Sequence, residues 1–468
     1  MAFEWFKAFL GKLLGVATSE SAIKQAFQVS TAVTKDMQQN INLWYSMYIN
    51  RPPWETCDVQ SIGLPGAIAR EFSNTAMAEL EILVSGGARA DYINEQLQTM
   101  LPGLVPALEI GLALGGVAVR AIPRDGKLYL DYTGAGSFTP TKFGPDGRAE
   151  SGVFREVKTH GDKQYVRLEY HEFVQEGESR YYVIRNKAYN AGSNGQPNGQ
   201  EIPLNTVPDW SQLWAETRVD NIDRPLFGYF KPPRENNVEF GSDVGVSIFG
   251  GATVGLIRQA DEQWGRLIWE YESGERKIFV DGTTADAKTY GSRMFEYGPF
   301  GGASGEFFKE FNPEMRDDPL YMGFQRIVQR IEFDTGLAYG DISDPQTVEK
   351  TATEIRSSKQ RKFVTVTAIQ NAYQHTLNDL IYTMDILCSM YGLAPVGNYE
   401  VSFAWGDSVL SDPEADRQDK ALDLQEVNAG IRNDYEYRMK WFGESEEEAK
   451  AKLPGISSLV NEPQDVIE

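Results

Sequence analysis

Apolar positions along the chain change period several times, and each change marks an element. Residues 19–50 carry Ala22, Ile23, Ala26, Val29, Ala32 and Val33 at helical spacing, and Pro52-Pro53 closes the segment. A second helix is predicted over Pro65–Val84, closed by Gly86-Gly87. A third runs over Tyr92–Met100, where Pro102-Gly103 breaks it ahead of apolar Leu104–Leu114. From Val117 the period drops to two. VAVRAIP, KLYLDYT, VFREVKT, KQYVRLEYHEFV and RYYVIRNKAY alternate apolar and polar residues, and RDGK, PDGR and EGES read as turns. This predicts an antiparallel sheet with one solvated face. NAGSNGQPNGQ, residues 190–200, is predicted to be an exposed tip.

Helical spacing returns at Val244 and continues to Glu272, with Ser242-Asp243 as the cap. About 29 residues at 1.5 Å each make this helix roughly 43 Å long. Gly250, Gly251, Gly255 and Gly265 each weaken it by up to ~1 kcal/mol relative to alanine, unless a neighbouring backbone comes close. RKIFVDG, SRMFEYG and GEFFKEF then read as three short strands between helices. Pro319–Thr335 follows as a helix with Tyr321, Phe324, Ile327, Val328 and Ile331 on one face, Asp317 and Asp318 before it, and Gly336 as its stop. After a short loop, a much longer helix begins near Thr347 and reaches Tyr391. Its apolar stripe is broken by the basic run 356–362, which suggests a kink or a change of environment. VSFAW, 401–405, reads as a strand. Three helices complete the chain: 414–429 stopped by Gly430, 434–442, and one capped by Ser445 with Glu446, Glu447 and Glu448 in its first turn.

Composition narrows the function classes. A net charge of −22 over 468 residues argues against tight, sequence-independent wrapping of nucleic acid. An aromatic content of 12% is too high for a disordered acidic chain. Cys57 and Cys388 read as buried free thiols of a reducing compartment, with a disulfide as the other reading. No run of about 18 apolar residues is present, so no membrane span is predicted. MAFEWFKAFLGKLLGVATSE has an apolar stripe interrupted by Glu4, Lys7 and Lys12. It reads as a docking helix rather than a signal peptide, with a membrane-surface helix as the alternative.

Catalytic signals are missing. The phosphate-loop pattern GxxxxGK[ST] does not occur, and Gly-rich GPFGGASG, 298–305, lacks the following Lys-Ser/Thr. His160, His171 and His375 lie on different elements without metal-ligand spacing. The expectation is no enzyme, no metal and no cofactor.

TVEKTATEIRSSKQRKF, 347–363, follows FNPEMR and a helix, and DSVLSDPEADRQDKALDLQEVNAGIRNDYEYRMKWFGESEEEA lies downstream. Together they resemble the portal proteins of long-tailed (siphovirus-type) bacteriophages, over roughly residues 242–453. The amino-terminal half is compatible but less distinctive. The resemblance implies an α+β subunit: a helix-and-sheet wing over 1–241 (helices to 116, sheet 117–240), a stem helix over 242–273, a β-rich clip over 274–316, and a second stem helix over 317–335. A tunnel loop over 336–346, a long kinked helix over 347–392, a strand returning to the wing over 393–410 and a helical crown with its tail over 411–468 follow.

Such subunits form a ring, usually a dodecamer, at one capsid vertex. Double-stranded DNA passes through its channel during packaging and ejection, and a terminase and later a head–tail adaptor dock on it. Major capsid and scaffold proteins are further implied partners; a membrane is not, and assembly would take place in the host cytoplasm. A head-to-tail interface that closes on itself fits a ring, and a carboxylate-lined channel would let DNA slide.

The resemblance places the loop residues Tyr339, Asp341, Ile342, Ser343, Asp344 and Gln346 against DNA; read from the residues alone, they are a helix–helix connection. Arg356, Lys359, Arg361 and Lys362 would meet DNA phosphate or, as the favoured reading, acidic residues of an adjacent subunit. Phe279, Phe295, Tyr297, Phe307 and Phe308 would form clip contacts between subunits or to terminase and adaptor, unless they make a small local core. Two other classes stay open: another virion ring, such as a tail or adaptor component, and a nucleic-acid enzyme such as a terminase.

Overall fold

The computed structural model describes residues 20–177, 179–192, 195–274, 277–281, 295–298, 308–311, 314–345, 352–406, 413–429, 431–442 and 445–452. The protein is mixed α+β and divides into two compact units, one ending at Trp405 and one beginning at Gly406.

In the first unit, helices α1 (Glu20–Phe27), α2 (Lys35–Tyr48) and α3 (Leu64–Met77) lead to strand β1 (Leu80–Ser85) and helix α4 (Ala88–Leu114). Three expectations fail here. The helix over 19–50 is interrupted where Gln28 takes a positive φ of 61° and Thr34 caps a new helix by accepting from the Met37 amide. The helix expected to reach Val84 stops at Met77, because the last residues pair instead as β1 with β14 (Glu400–Trp405), Leu80 opposite Trp405. Pro102 and Pro106 do not break α4. Ile93, Leu97, Met100, Leu104, Ala107, Leu108 and Leu112 are all buried, and that packing outweighs the local cost of the prolines. Joined in this way, α4 is long and apolar enough to cross a membrane by composition, contrary to the sequence expectation. It nevertheless packs on α3, β1 and the β-sheet that follows, as a core helix does.

Strands β2 (Val117–Arg124), β3 (Lys127–Gly134) and β10 (Gly228–Phe230) form one sheet in the order β10-β2-β3. Strands β4 (Phe138–Phe143), β5 (Ala149–His160), β6 (Lys163–Glu176), β7 (Ser179–Ala191) and β8 (Pro197–Ile202) form a larger antiparallel sheet in chain order, with β9 (Glu216–Val219) also paired to β7. The segment 190–200 is thus partly strand, and Gln196 within it is buried. The expected solvated face is also wrong at the centre. Val166, Leu168 and Tyr170 of β6 pack under Ile23 and Ala26 of α1, while Arg167, Glu169 and His171 on the opposite face are buried too.

Helix α5 spans Ala252–Ser273, so the helix expected from Val244 starts eight residues late. Residues 244–251 instead thread beneath the end of α4, where the Ile248 amide donates to the Leu112 carbonyl at 2.8 Å. A Cβ on Gly245 would stand 2.1 Å from the Gly115 carbonyl oxygen, and one on Gly115 would stand 2.6 Å from that of Gly245. Only two glycines allow this crossing, and Gly115 also closes α4 at a φ of +83°. Strands β11 (Lys277–Asp281), β12 (Phe295–Gly298) and β13 (Phe308–Phe311) make a small sheet, β11 being parallel to β12 and antiparallel to β13. Helix α6 (Asp317–Thr335) packs against α5, and helix α7 (Ala352–Tyr391) runs 40 residues. The basic run does not interrupt its helical hydrogen bonding, and Val366, Ile369, Tyr373, Leu377, Leu380 and Met384 are fully buried. Arg89 of α4 is buried against the end of α7, donating to the carbonyls of Asp385 and Pro395.

The second unit contains α8 (Pro413–Asn428), α9 (Asp434–Phe442) and α10 (Glu446–Ala451). Ser445 and Glu448 form the reciprocal cap expected at the start of α10. Asp423 of α8 holds this unit together by accepting from Lys440 and Trp441 and pairing with Arg432.

Candidate functional site

The described part of the connection between α6 and α7, residues 336–345, is folded onto one carboxylate. Glu332 lies in the last turn of α6, where an acid opposes the helix macrodipole. It is fully buried. Its Oε1 accepts from the amides of Gly340 at 3.1 Å and of Ile342 and Ser343 at 2.9 Å, and its Oε2 accepts from the Ser343 hydroxyl at 2.9 Å. Burial raises the Glu332 pKa, and these hydrogen bonds only partly offset it.

The expected loop residues each have a place in this fold. Asp341 accepts from the Ala338 amide and pairs with Lys362 at 3.1 Å. Asp344 accepts from the Tyr321 hydroxyl, and its amide donates to Gln325. Ser343 is buried, Tyr339 and Ile342 are half-buried, and Gln346 lies outside the described residues. Over its described residues, 336–345, the segment is held to its own helices.

The basic run separates residue by residue. The side chain of Arg356 lies outside the described ones, and Lys359 is exposed. Lys362 does not stand free for a neighbouring subunit: its ammonium pairs with Asp341 and, at 2.7 Å, with Glu71 of α3. Burial alone would lower its pKa, but Glu71 and Asp341 together raise it. Arg361 lies over the rings of Phe333 at 4.7 Å and Tyr339 at 5.4 Å. Among the described residues it has one long hydrogen bond, to the Leu337 carbonyl at 3.4 Å, and its buried Nε finds no partner there. Phe279, Phe295, Tyr297 and Phe308 sit on the three strands of the small sheet, with Val280 opposite both Tyr297 and Phe308. Phe307 lies outside the described residues.

A second polar centre escaped sequence reasoning. In the large sheet, Glu169 receives Arg120, Arg167 at 2.6 Å and His171 at 2.8 Å. Burial would raise the pKa of Glu169, but Arg120 and Arg167 hold it well below the usual carboxylate range. The Leu226 amide donates to the Tyr182 hydroxyl, which lies 2.8 Å from His171 Nδ1. This chain places the hydrogen of a neutral imidazole on Nε2, toward Glu169. The available signal was Arg167, Glu169 and His171 at a period of two, which also fits a solvated face. Each group is satisfied by its neighbours, so the network builds the sheet.

Cys57 and Cys388 are free; Cys388 is buried as expected, but Cys57 is exposed, contrary to the expectation of two buried thiols. Among the described residues no group of three or more His, Cys, Asp or Glu is arranged to hold a metal ion. Compared with known protein families and with curated protein sequences, the chain matches none. The likeness to phage portals rests on the residue strings quoted above.

Proposed function

We propose that this chain is the subunit of a phage portal: a homo-oligomeric ring at one capsid vertex that gives double-stranded DNA its channel and offers terminase and head–tail adaptor a docking surface. One observation carries the reading, the succession from α5 to β14. A helix, a small three-stranded sheet, a helix packed back on the first, a connecting segment and a 40-residue helix follow one another, and a strand then returns to pair with β1. The small sheet is an excursion between two helices that contact each other, which suits a module projecting from a ring. The acidic balance of −22 suits a conduit that does not retain phosphate.

The test is electron microscopy and mass photometry of the purified protein across a salt series. Closed rings with an axial hole wide enough for duplex DNA are the expected result. Two-fold dimers, open filaments or monomers at every salt concentration would overturn the ring.

A further inference from the structure

Beside the loop, a cavity of about 380 Å³ is lined by Pro233, Arg234, Ile248, Phe333, Arg361 and Val364, among others. Two guanidinium groups share it, and among the described residues neither reaches a carboxylate within ion-pair distance. Arg234 donates only to the carbonyls of Ser247 and Ile248. Its burial lowers its pKa, with Asp334 acting in the opposite sense. Among the described residues Arg361 keeps a single long hydrogen bond and leaves its Nε unpartnered. Asp334, also on the wall, is engaged by Arg330 at 3.1 Å. A desolvated arginine with unused donors is costly unless an anion completes it.

The rim identifies the anion's source. Phe333 and Val364 are 45% and 61% exposed at this mouth. Nucleic-acid surfaces present cations and polar groups to phosphate. An arginine pair among exposed aromatic and aliphatic side chains instead has the make-up of the centre of a protein–protein interface. The chain supplies the complementary group in excess, with 67 acidic residues against 45 basic ones.

We propose that the Arg234–Arg361 cavity is the socket for a carboxylate side chain of a neighbouring copy of this chain, seated between the two guanidiniums with Phe333 and Val364 packed around it. The proposal rests on the ring reading and gives that ring one specific heterologous contact.

The test uses Val364, which is exposed enough to replace without disturbing the core. Val364→Asp sets a like charge at the mouth, and Val364→Lys removes the same apolar area with the opposite sign. Arg361→Gln and Arg234→Gln, checked for folding by circular dichroism, remove the cations. Mass photometry over a protein dilution series reads the concentration at which rings form. Val364→Asp is expected to raise it at least tenfold, Val364→Lys much less, and each arginine variant at least tenfold. Equal effects of Asp and Lys, or no effect of either arginine variant, would overturn the socket while leaving the ring intact. A wild-type protein that forms no oligomer would overturn the ring and the occupant together.

Discussion

Replacing Glu332 separates two ways in which a buried carboxylate can hold a loop. Glu332→Ala removes the acceptor of three amide hydrogen bonds and one hydroxyl hydrogen bond. At about 1 kcal/mol each, the loss is about 3–4 kcal/mol, confined to residues 337–345 because these donors lie there. Glu332→Gln keeps a carbonyl oxygen for the three amides and offers an amide nitrogen to the Ser343 hydroxyl. Because burial outweighs the hydrogen bonds and raises the Glu332 pKa, the charge is not what stabilises the loop. The Gln variant is therefore expected to cost less than about 1 kcal/mol. Hydrogen exchange of a peptide covering 337–345 reads this directly. The Ala variant should exchange roughly 100- to 1000-fold faster, at tenfold per 1.4 kcal/mol, and the Gln variant within about tenfold of wild type. Equal acceleration in both would refute the argument, since the negative charge and not the acceptor geometry would then be essential.

Two further outcomes follow from the packing and electrostatics described above. A Cβ at Gly265 would lie 2.4 Å from the Asp58 carbonyl oxygen, whereas one at Gly255 meets nothing within 4 Å. Gly265→Ala should destabilise the protein by about 1–3 kcal/mol and Gly255→Ala should stabilise it by about 0.5–1 kcal/mol. Thermal melts that shift in the same direction for both would contradict this. His171 faces Glu169, Tyr182, Arg120 and Arg167, and burial outweighs Glu169 in lowering its pKa below the ordinary value of about 6.5. Its contribution to stability is thus fully present above about pH 6.5 and is lost as the pH falls toward the lowered folded pKa. The urea-midpoint gap between wild type and His171→Gln should narrow from pH 7.5 to pH 5 (both roughly bracketing that titration); parallel profiles would rule it out.

Period and punctuation made much of this fold legible. The stripe from Val366 to Met384 is the buried face of α7, Gly336 ends α6 with a φ of +91°, and Ser445 caps α10 as expected. What stayed hidden depended on partners distant in sequence. Leu80–Ser85 continues a helical pattern and becomes a strand because Glu400–Trp405 pairs with it, and Val244–Gly251 abandons its helix to pass under Gly115. Pro102-Gly103 reads as a breaker because only the surrounding core reveals why α4 continues. In the loop, the acids Asp341 and Asp344 were noticed, but the residue that gathers the segment is Glu332, outside it. Its only sign in the sequence was an acid at the wrong end of a helix. Lys362 looked like part of a basic patch, and its assignment to Glu71 joins positions almost three hundred residues apart.

That ammonium has a mechanical consequence. Lys362 stands on a helix of 40 residues, about 60 Å of rigid rod at 1.5 Å per residue, and grips Asp341 of the loop with one side and Glu71 of α3 with the other. The rod cannot turn about its axis or slide along it by a full helical step without releasing both carboxylates together. A pull on the loop is therefore passed, through this one ammonium, to both α7 and α3.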